Sequence, residues 1–202
     1  MKLEKRCCPI EMTITKCGAG WTDFTWFVPE RMSEPLFLSA SNVGELMEVF
    51  VRSLYLLYPY DLSWDVAKFH FEEEPCGSDW VITRVTPENF DKRTDDSVDF
   101  TVNVKIILER DLEEGLLIKE FDFDFDYADI CYAVSKAMTE VIKSHGIKGY
   151  CYSSSDIIDL LHLIHIKSIA LGCDEVRKLK HSNNYTVTSD FAKEMEILMF
   201  DM

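Results

Sequence analysis

Residues 121–126 read Phe-Asp-Phe-Asp-Phe-Asp, a strict alternation of aromatic and acidic side chains. Successive side chains of a β-strand point to opposite faces of the sheet. The segment therefore predicts a strand with three phenylalanines on a buried face and three carboxylates on the opposite face. Folding requires only polar residues at the outer positions, and neighbouring like charges cost free energy. The outer row is therefore a candidate recognition surface; we call Glu120, Asp122, Asp124 and Asp126 the acidic ladder.

The rest of the chain predicts strands in clusters, each cluster followed by a helix. This order is typical of the α+β class, in which the sheet is mainly antiparallel. We expect a single α+β domain over residues 1–202, with a mainly antiparallel sheet of about six strands and three to four helices packed on it. Residues 1–20 are expected to be irregular. The predicted strands are 23–28, 36–39, 64–71, 79–85, 100–108, 116–126 and a short one at 149–152, and the predicted helices are 43–58, 126–144, 156–170 and 190–200.

Two parts of the chain share the order strand, turn, strand, helix. The segment Asp-Phe-Thr begins the first part at Asp23 and the second at Asp99. One interpretation is an internal ββα duplication, with pseudo-repeat units at residues 21–60 and 98–146. The alternative is that a hairpin followed by a helix is a common unit that arises without duplication.

The net charge is −15, from 21 Lys and Arg against 36 Asp and Glu. Residues 61–129 hold 20 acidic and 7 basic side chains, so this third of the chain carries a net charge of −13. Binding to phosphate groups requires a basic surface, which argues against nucleic acid or an anionic membrane as the main partner. The charge favours a basic protein, a cation or a metal, although a well-solvated acidic lobe is an equally simple interpretation.

The sequence also predicts a cytoplasmic protein without a cofactor. The charged N-terminus is not followed by an apolar signal segment, and no apolar run is long enough for a transmembrane helix. Seven cysteines form no regular framework, which favours reduced thiols. The glycines match neither nucleotide-binding motif, GxGxxG or GxxxxGK[ST].

The spacing of the ladder makes it a poor metal site, because same-face residues of a strand lie roughly 6.6–6.8 Å apart and a hard cation needs oxygens within about 2.0–2.6 Å. A hairpin that pairs symmetrically across its turn would place Lys105 opposite Glu120 and Asn103 opposite Asp122. Most of the ladder would then lack an internal cation. Either water covers this face, where the charges also discourage aggregation at a sheet edge, or a basic partner does.

Further candidate binding residues lie in the preceding hairpin. Glu72, Glu73 and Glu74 are expected to form an acidic turn between two strands. Trp80 follows this turn, and tryptophan is enriched at binding hot spots. An acidic turn beside an exposed aromatic anchor would suit a cationic protein partner, although tryptophans are by default core residues.

A second set of polar residues recurs every three positions: Asp156, Asp159, His162 and His165. On a helix each step of three falls about 60° short of a turn, so only neighbouring pairs can act together. Two histidines leave a zinc site incomplete. A polar stripe on an apolar helix is the simpler interpretation, and a metal-binding pair is the alternative.

The leading functional hypothesis is a non-enzymatic binding protein whose acidic lobe engages a basic protein partner. In composition and fold class the chain resembles small acidic antitoxin or immunity proteins, which neutralise a basic toxin domain by covering its active site; no motif supports this resemblance. One alternative is a metal-dependent hydrolase that combines Asp159, His162 and His165 with a ladder aspartate. Another is a structural subunit of a larger assembly, which exposed apolar residues on the C-terminal helix would support.

Overall fold

The computed structural model describes residues 3, 5–18, 21–41, 46–58, 64–73, 76–85, 99–112, 115–154, 159–173, 180–181 and 187–202. These residues form an α+β fold with antiparallel sheets, as the sequence predicts. The strands are β1 (Glu11–Gly18), β2 (Trp21–Phe27), β3 (Leu36–Ser41), β4 (Val66–Glu73), β5 (Cys76–Val85), β6 (Thr101–Leu112), β7 (Gly115–Asp126), β8 (Lys180–His181) and β9 (Val187–Thr188). The helices are α1 (Leu46–Leu57), α2 (Tyr127–Ser154), α3 (Leu160–Ala170) and α4 (Phe191–Met199).

The expectation of one sheet with about six strands is wrong. In the described part of the chain, seven strands form two antiparallel sheets, ordered β1-β2-β3 and β4-β5-β6-β7, and β8 pairs with β9 alone. The additional strand is β1, which lies in the segment expected to be irregular. Ile10, directly before β1, and Met12 are buried and Ile14 is half-buried, so buried and exposed side chains do alternate in this segment. The alternation is short, and β1 is stabilised by pairing with β2.

The two larger sheets meet through an aromatic core. Phe24 at the middle of β2 packs edge-on against Phe71 of β4, with ring centroids 5.7 Å apart. Two residues later, Trp26 contacts Trp80 of β5 at 5.3 Å and Phe125 of β7 at 6.3 Å. Strand β2 therefore crosses the inner face of the four-stranded sheet from β4 to β7. Large aromatic side chains bury much apolar area each, so this contact contributes strongly to the core.

Helix α1 covers the same inner face. Its Phe50 is fully buried and packs against Phe69 of β4 and Trp80, at 5.1 and 5.2 Å between ring centroids. Helix α2 follows β7 directly and packs against β1 and α3. The opposite, outer face of the four-stranded sheet carries the acidic ladder.

The alternation over residues 121–126 has the predicted result. Phe123 and Phe125 are buried and Phe121 is half-buried, whereas Asp122, Asp124 and Asp126 are exposed. Helix α2 begins at the next residue, Tyr127.

The prediction of a short strand at 149–152 is wrong, because this segment is helical and continues α2 to Ser154. Gly146, two residues after the predicted end of this helix, has φ 69° and ψ 159° and produces a kink. This backbone conformation is open mainly to glycine, and the chain resumes a helix after it.

Helix α3 begins at Leu160 rather than at the predicted residue 156, and α4 begins at Phe191, one residue after its predicted start; both follow acidic caps. The side chain of Asp159 accepts a hydrogen bond from the backbone N–H of His162 at the start of α3, and Asp190 does the same for Lys193 at the start of α4. Such contacts satisfy backbone donors that a helix leaves open. Gly172 follows α3 with φ 65°, and no described helix is long and apolar enough to span a membrane.

The internal duplication is not confirmed. Both expected units contain two antiparallel strands and a helix, but they belong to different sheets. In the first unit β2 and β3 are joined by an eight-residue connection, residues 28–35, and in the second β6 and β7 form a tight hairpin.

Candidate protein-binding surface

The acidic ladder lies on an edge strand. In the order β4-β5-β6-β7, β7 is terminal, and the four acidic side chains project from its outer face. The side chains of Glu120 and Asp126, at the two ends of the row, are 54% and 71% exposed. The carboxylates are therefore available to a macromolecule that approaches the sheet from outside.

The register of this hairpin differs from the predicted one by two residues. Lys105 lies opposite Asp122, and Asn103 lies opposite Asp124. A turn centred between Leu112 and Glu113 would have paired Lys105 with Glu120. The actual turn is shorter, because Leu112 pairs with Gly115. A shift of two residues keeps every side chain on its predicted face.

Among the described residues, only Glu120, the first residue of the ladder, has a lysine partner. Lys105 reaches diagonally to Glu120, with Nζ and Oε1 2.5 Å apart. This hydrogen bond, together with the charges of Glu120 and Asp122, raises the pKa of Lys105 above its ordinary value. Its stabilising contribution is small, because both side chains are in contact with solvent.

The two central carboxylates share one neutral donor. The amide nitrogen of Asn103 donates to Oδ1 of Asp122 at 2.6 Å and to Oδ1 of Asp124 at 2.9 Å. These bonds hold both aspartates in place without neutralising their charge. At the other end, the guanidinium of Arg6 contacts Asp126 at 3.4 Å and also binds Asp129. The centre of the ladder is thus ordered and carries two charges with no described cation in contact.

The predicted acidic turn is organised differently. Strand β4 extends to Glu73, so Glu72 and Glu73 lie in the strand opposite Gly77 and Cys76 rather than in a turn. Glu72 is exposed on the same outer face as the ladder. Glu74 lies outside the described residues. Glu72 is separated from the ladder by strands β5 and β6.

Trp80 cannot serve as the expected exposed anchor, because it is completely buried. Its ring packs against Trp26 and Phe50, and its Nε1 donates to Oγ of Ser78 at 3.2 Å. The reason lies in the strand phase. Position 80 faces the core, and the neighbouring Asp79 and Val81 face outwards.

A groove beside β7 was not anticipated. A cavity of about 340 Å³ separates residues 119–121 from the β2–β3 connection, and Arg31 and Met32 of the connection line it together with Leu36 at the start of β3. The guanidinium of Arg31 also lies 5.8 Å from the ring centre of Phe125. Pro29 and Pro35 mark this connection as a loop in the sequence, but its approach to β7 follows from the crossing of the two sheets.

No protein-family model, curated protein sequence or solved structure matches this chain. The geometry of the chain is therefore the basis for proposing its function.

The histidine stripe on α3 forms a contact with α1. The His162 ring lies 4.0 Å from the ring of Tyr55, and His165 packs edge-on against Tyr55 and Tyr58. Nδ1 of His162 is 2.8 Å from Oδ2 of Asp159. Burial lowers the pKa of His162, and the Asp159 charge only partly opposes this effect. Asp156 lies outside the described residues.

These histidines do not meet the acidic ladder. They lie between α1 and α3, whereas the ladder is on the outer face of the four-stranded sheet. The described residues contain no group of three or more His, Cys, Asp or Glu side chains that could hold a metal ion. In this part of the chain the structure thus offers no centre for the metal-dependent hydrolase alternative.

The C-terminal helix exposes an apolar stripe. Phe191, Met195 and Met199 are spaced by four residues on α4, and their exposed fractions are 73%, 37% and 66%. Leu161 on the adjoining helix α3 is also exposed. Residues four apart share one face of a helix, so the three α4 side chains form a continuous row.

Proposed function

We propose that this protein binds a basic protein partner through the acidic ladder on β7. The observation that supports the proposal is the uncompensated centre of the ladder, where Asp122 and Asp124 are fixed by the Asn103 amide but contact no described cation. A cationic partner would supply the missing charges. Complementary charge accelerates the encounter of two proteins and excludes partners of the wrong sign.

The role of the surface is binding rather than catalysis. Its carboxylates lie in a row on an exposed strand face and not in an enclosed pocket. The large acidic excess disfavours nucleic acid and anionic membranes as partners. The free thiols of Cys7, Cys8, Cys131 and Cys173 are consistent with a reducing compartment, and we place the protein in the cytoplasm.

The partner class that best fits this surface is a basic toxin domain, which the acidic face would cover as an immunity or antitoxin protein does. Proteins that act on nucleic acids carry basic active-site surfaces, and a row of carboxylates can imitate the phosphates that such surfaces bind. The test is co-expression with the product of an adjacent gene. We expect that product to be basic and to inhibit growth only when this protein is absent or carries Asp122→Asn and Asp124→Asn.

Direct capture tests the docking surface itself. The wild-type protein and the Asp122→Asn/Asp124→Asn variant are immobilised and exposed to a lysate of the native host, and the retained proteins are identified by mass spectrometry. The expected partner is basic, is released by salt and is retained far less by the variant. A Glu11→Gln/Glu140→Gln variant changes the net charge equally at exposed positions on β1 and α2 and is expected to retain the partner. Equal retention by all three proteins would refute the proposal.

A structural role in a larger assembly is the second candidate, and the exposed stripe on α4 favours it. Phe191 and Met199 expose apolar surface that association would remove from water. Size-exclusion chromatography with light scattering tests this role. An oligomer that becomes monomeric on Phe191→Ser/Met199→Ser substitution would support it, and a monomeric wild-type protein at high concentration would refute self-assembly.

A further inference from the structure

Strand β7 forms an edge of its sheet that is open in the described part of the chain. It is the terminal strand of its sheet, and no described strand other than β6 pairs with it. At the opposite edge of the sheet, β4 lies against β3 of the other sheet. An open edge presents backbone donors and acceptors that can pair with an added strand.

The hydrogen-bond pattern shows which residues present these groups. The backbone N–H of Tyr127 donates to the carbonyl of Phe100 at 2.9 Å, and the register from there to β7 is continuous. In an antiparallel pair every second residue bonds to the partner strand, and the residues between them point their backbone groups away. Phe121, Phe123 and Phe125 therefore bond to β6. The groups on the open edge belong to Glu120, Asp122 and Asp124.

An independent contact at the other side of the sheet gives the same alternation. The backbone N–H of Arg84 on β5 donates to the carbonyl of Asp65 at 2.8 Å. The backbone N–H and C=O groups of the even-numbered residues of β5 therefore point towards β4. The odd-numbered residues of β5 then face β6, and the continuous register carries this alternation through β6 to β7. The same residues of β7 thus carry both the ladder carboxylates and the unpaired backbone groups of the edge.

The groove lies beside this edge, next to the inner face of the sheet. An added strand would place alternate side chains on the outer face beside Asp122 and Asp124. The intervening side chains would point inwards, towards Phe121 and the cavity lined by Met32 and Leu36. Cationic residues match the outer positions, and apolar residues match the inner ones.

We propose, building on the docking function above, that β7 receives an extended segment of the basic partner as a fifth strand, in which Lys or Arg alternates with apolar residues. A second copy of this chain is a poor occupant, because edge pairing of two β7 strands would place acidic ladders side by side. Like charges on adjacent strands destabilise the pairing. The partner strand thus supplies both the backbone hydrogen bonds and the charges that the described residues leave out.

The test uses an eight-residue peptide that alternates Lys and Val, with its termini blocked and a fluorophore attached. Two derivatives carry N-methyl groups on alternate amides, in the two possible phases. With Lys on the outer face, the orientation of the added strand relative to β7 determines which peptide edge faces β7. We therefore expect one phase to abolish binding in fluorescence anisotropy and the other to preserve it. Asp122→Asn/Asp124→Asn should weaken binding about tenfold through the loss of two cross-strand charge pairs, and Glu11→Gln/Glu140→Gln should leave it unchanged.

Two further measurements isolate the backbone contribution. Asp124→Pro removes an N–H that faces outwards, a change that an edge strand tolerates, and Asp124→Asn removes only the charge. We expect the proline variant to bind the peptide more weakly than the asparagine variant while both retain the circular dichroism of the wild-type protein. In hydrogen exchange, peptide binding should slow the amides of Asp122 and Asp124 and leave that of Phe123, already bonded to β6, unchanged.

If the two methylated peptides bind equally and Asp122→Asn/Asp124→Asn weakens the binding of both, strand addition is overturned. That result would support a purely electrostatic docking surface. Absence of binding by the unmethylated peptide would also overturn strand addition. The docking function is judged separately, by the salt-sensitive capture of a basic partner.

Discussion

Arg84 connects the end of α1 to the start of β4 from a completely buried position. Its guanidinium donates to the carbonyl of Leu57 at 2.9 Å and to Oδ1 of Asp65 at 2.6 Å. We expect Arg84→Met to lower the free energy of unfolding by about 2–3 kcal/mol, because it deletes a charged donor and leaves a helix-terminal carbonyl without it. Asp65→Asn is the control. Its side chain is 61% exposed, and its loss should cost less than about 1 kcal/mol in urea denaturation. Equal costs would show that the ion pair, rather than the carbonyl contact, stabilises this junction.

Lys167 is a buried cation that holds the C-terminal helix. Its Nζ donates to Oγ1 of Thr139 and to the carbonyls of Leu198 and Phe200 at the end of α4. Burial, reinforced by the charge of Lys143, lowers the pKa of Lys167 from 10.5 to about 8. The folded protein therefore binds this proton less tightly than the unfolded chain does, and between pH 8 and pH 10.5 unfolding takes up a proton. The contribution of Lys167 to stability accordingly rises with pH across this range.

This linkage is measurable as a difference between variants. The free energy of unfolding of the wild-type protein minus that of Lys167→Met should increase by about 2–3 kcal/mol from pH 7.5 to pH 10.5. The subtraction removes the common effect of Tyr127 and Cys131, whose pKa values burial raises in the folded protein above those of the unfolded chain. Lys136→Met, at an exposed position on α2, should give a far flatter difference. A pH-independent difference for Lys167→Met would mean that the proton is bound equally in both states.

At the scale of elements, the kink in α2 gives a pair of opposite predictions. Gly146 has φ 69° and ψ 159°, and a Cβ at this position would meet no atom within 4 Å. Gly146→Ala should therefore cost about 1–3 kcal/mol from backbone strain alone. Gly149 lies in the helical segment beyond the kink, where alanine has the higher helix propensity. Gly149→Ala should stabilise the protein by about 0.5–1 kcal/mol. Urea denaturation of both variants tests the assignment, and a stabilising Gly146→Ala would contradict the kink.

The elements that the sequence predicted well are those specified by local chemistry. Strand β7 followed from its alternation, and α4 begins within one residue of its predicted start. The elements that were mispredicted depend on partners elsewhere in the chain. Strand β1 requires β2, and residues 149–152 resume a helix after Gly146 although their two tyrosines favour a strand. Propensity over four residues is too weak to decide between these states.

The candidate site was predictable to the same extent. The exposed carboxylates of the ladder follow from a two-residue period, which survives the shift in register. Trp80 was misjudged because proximity to acidic residues in sequence does not reveal the phase of the strand. The open edge of β7 and the groove beside it depend on strand order and on the crossing of two sheets, neither of which a local pattern specifies.

At the scale of the whole molecule, the charge of −15 opposes compaction, and residues 61–129 carry most of it. If the ladder is maintained for binding, its central charges should reduce stability. We expect Asp122→Asn/Asp124→Asn to raise the free energy of unfolding by about 0.5–1 kcal/mol at low salt. The substitutions remove the repulsion between like charges, and the asparagine oxygens still accept hydrogen bonds from Asn103. The gain should diminish in about 0.5 M salt, where exposed charges are screened. Glu11→Gln/Glu140→Gln should show a smaller effect. If the ladder variant is instead destabilised, the carboxylates act as structural acceptors for Asn103. Their contribution to the free energy of folding would then explain their presence without a partner.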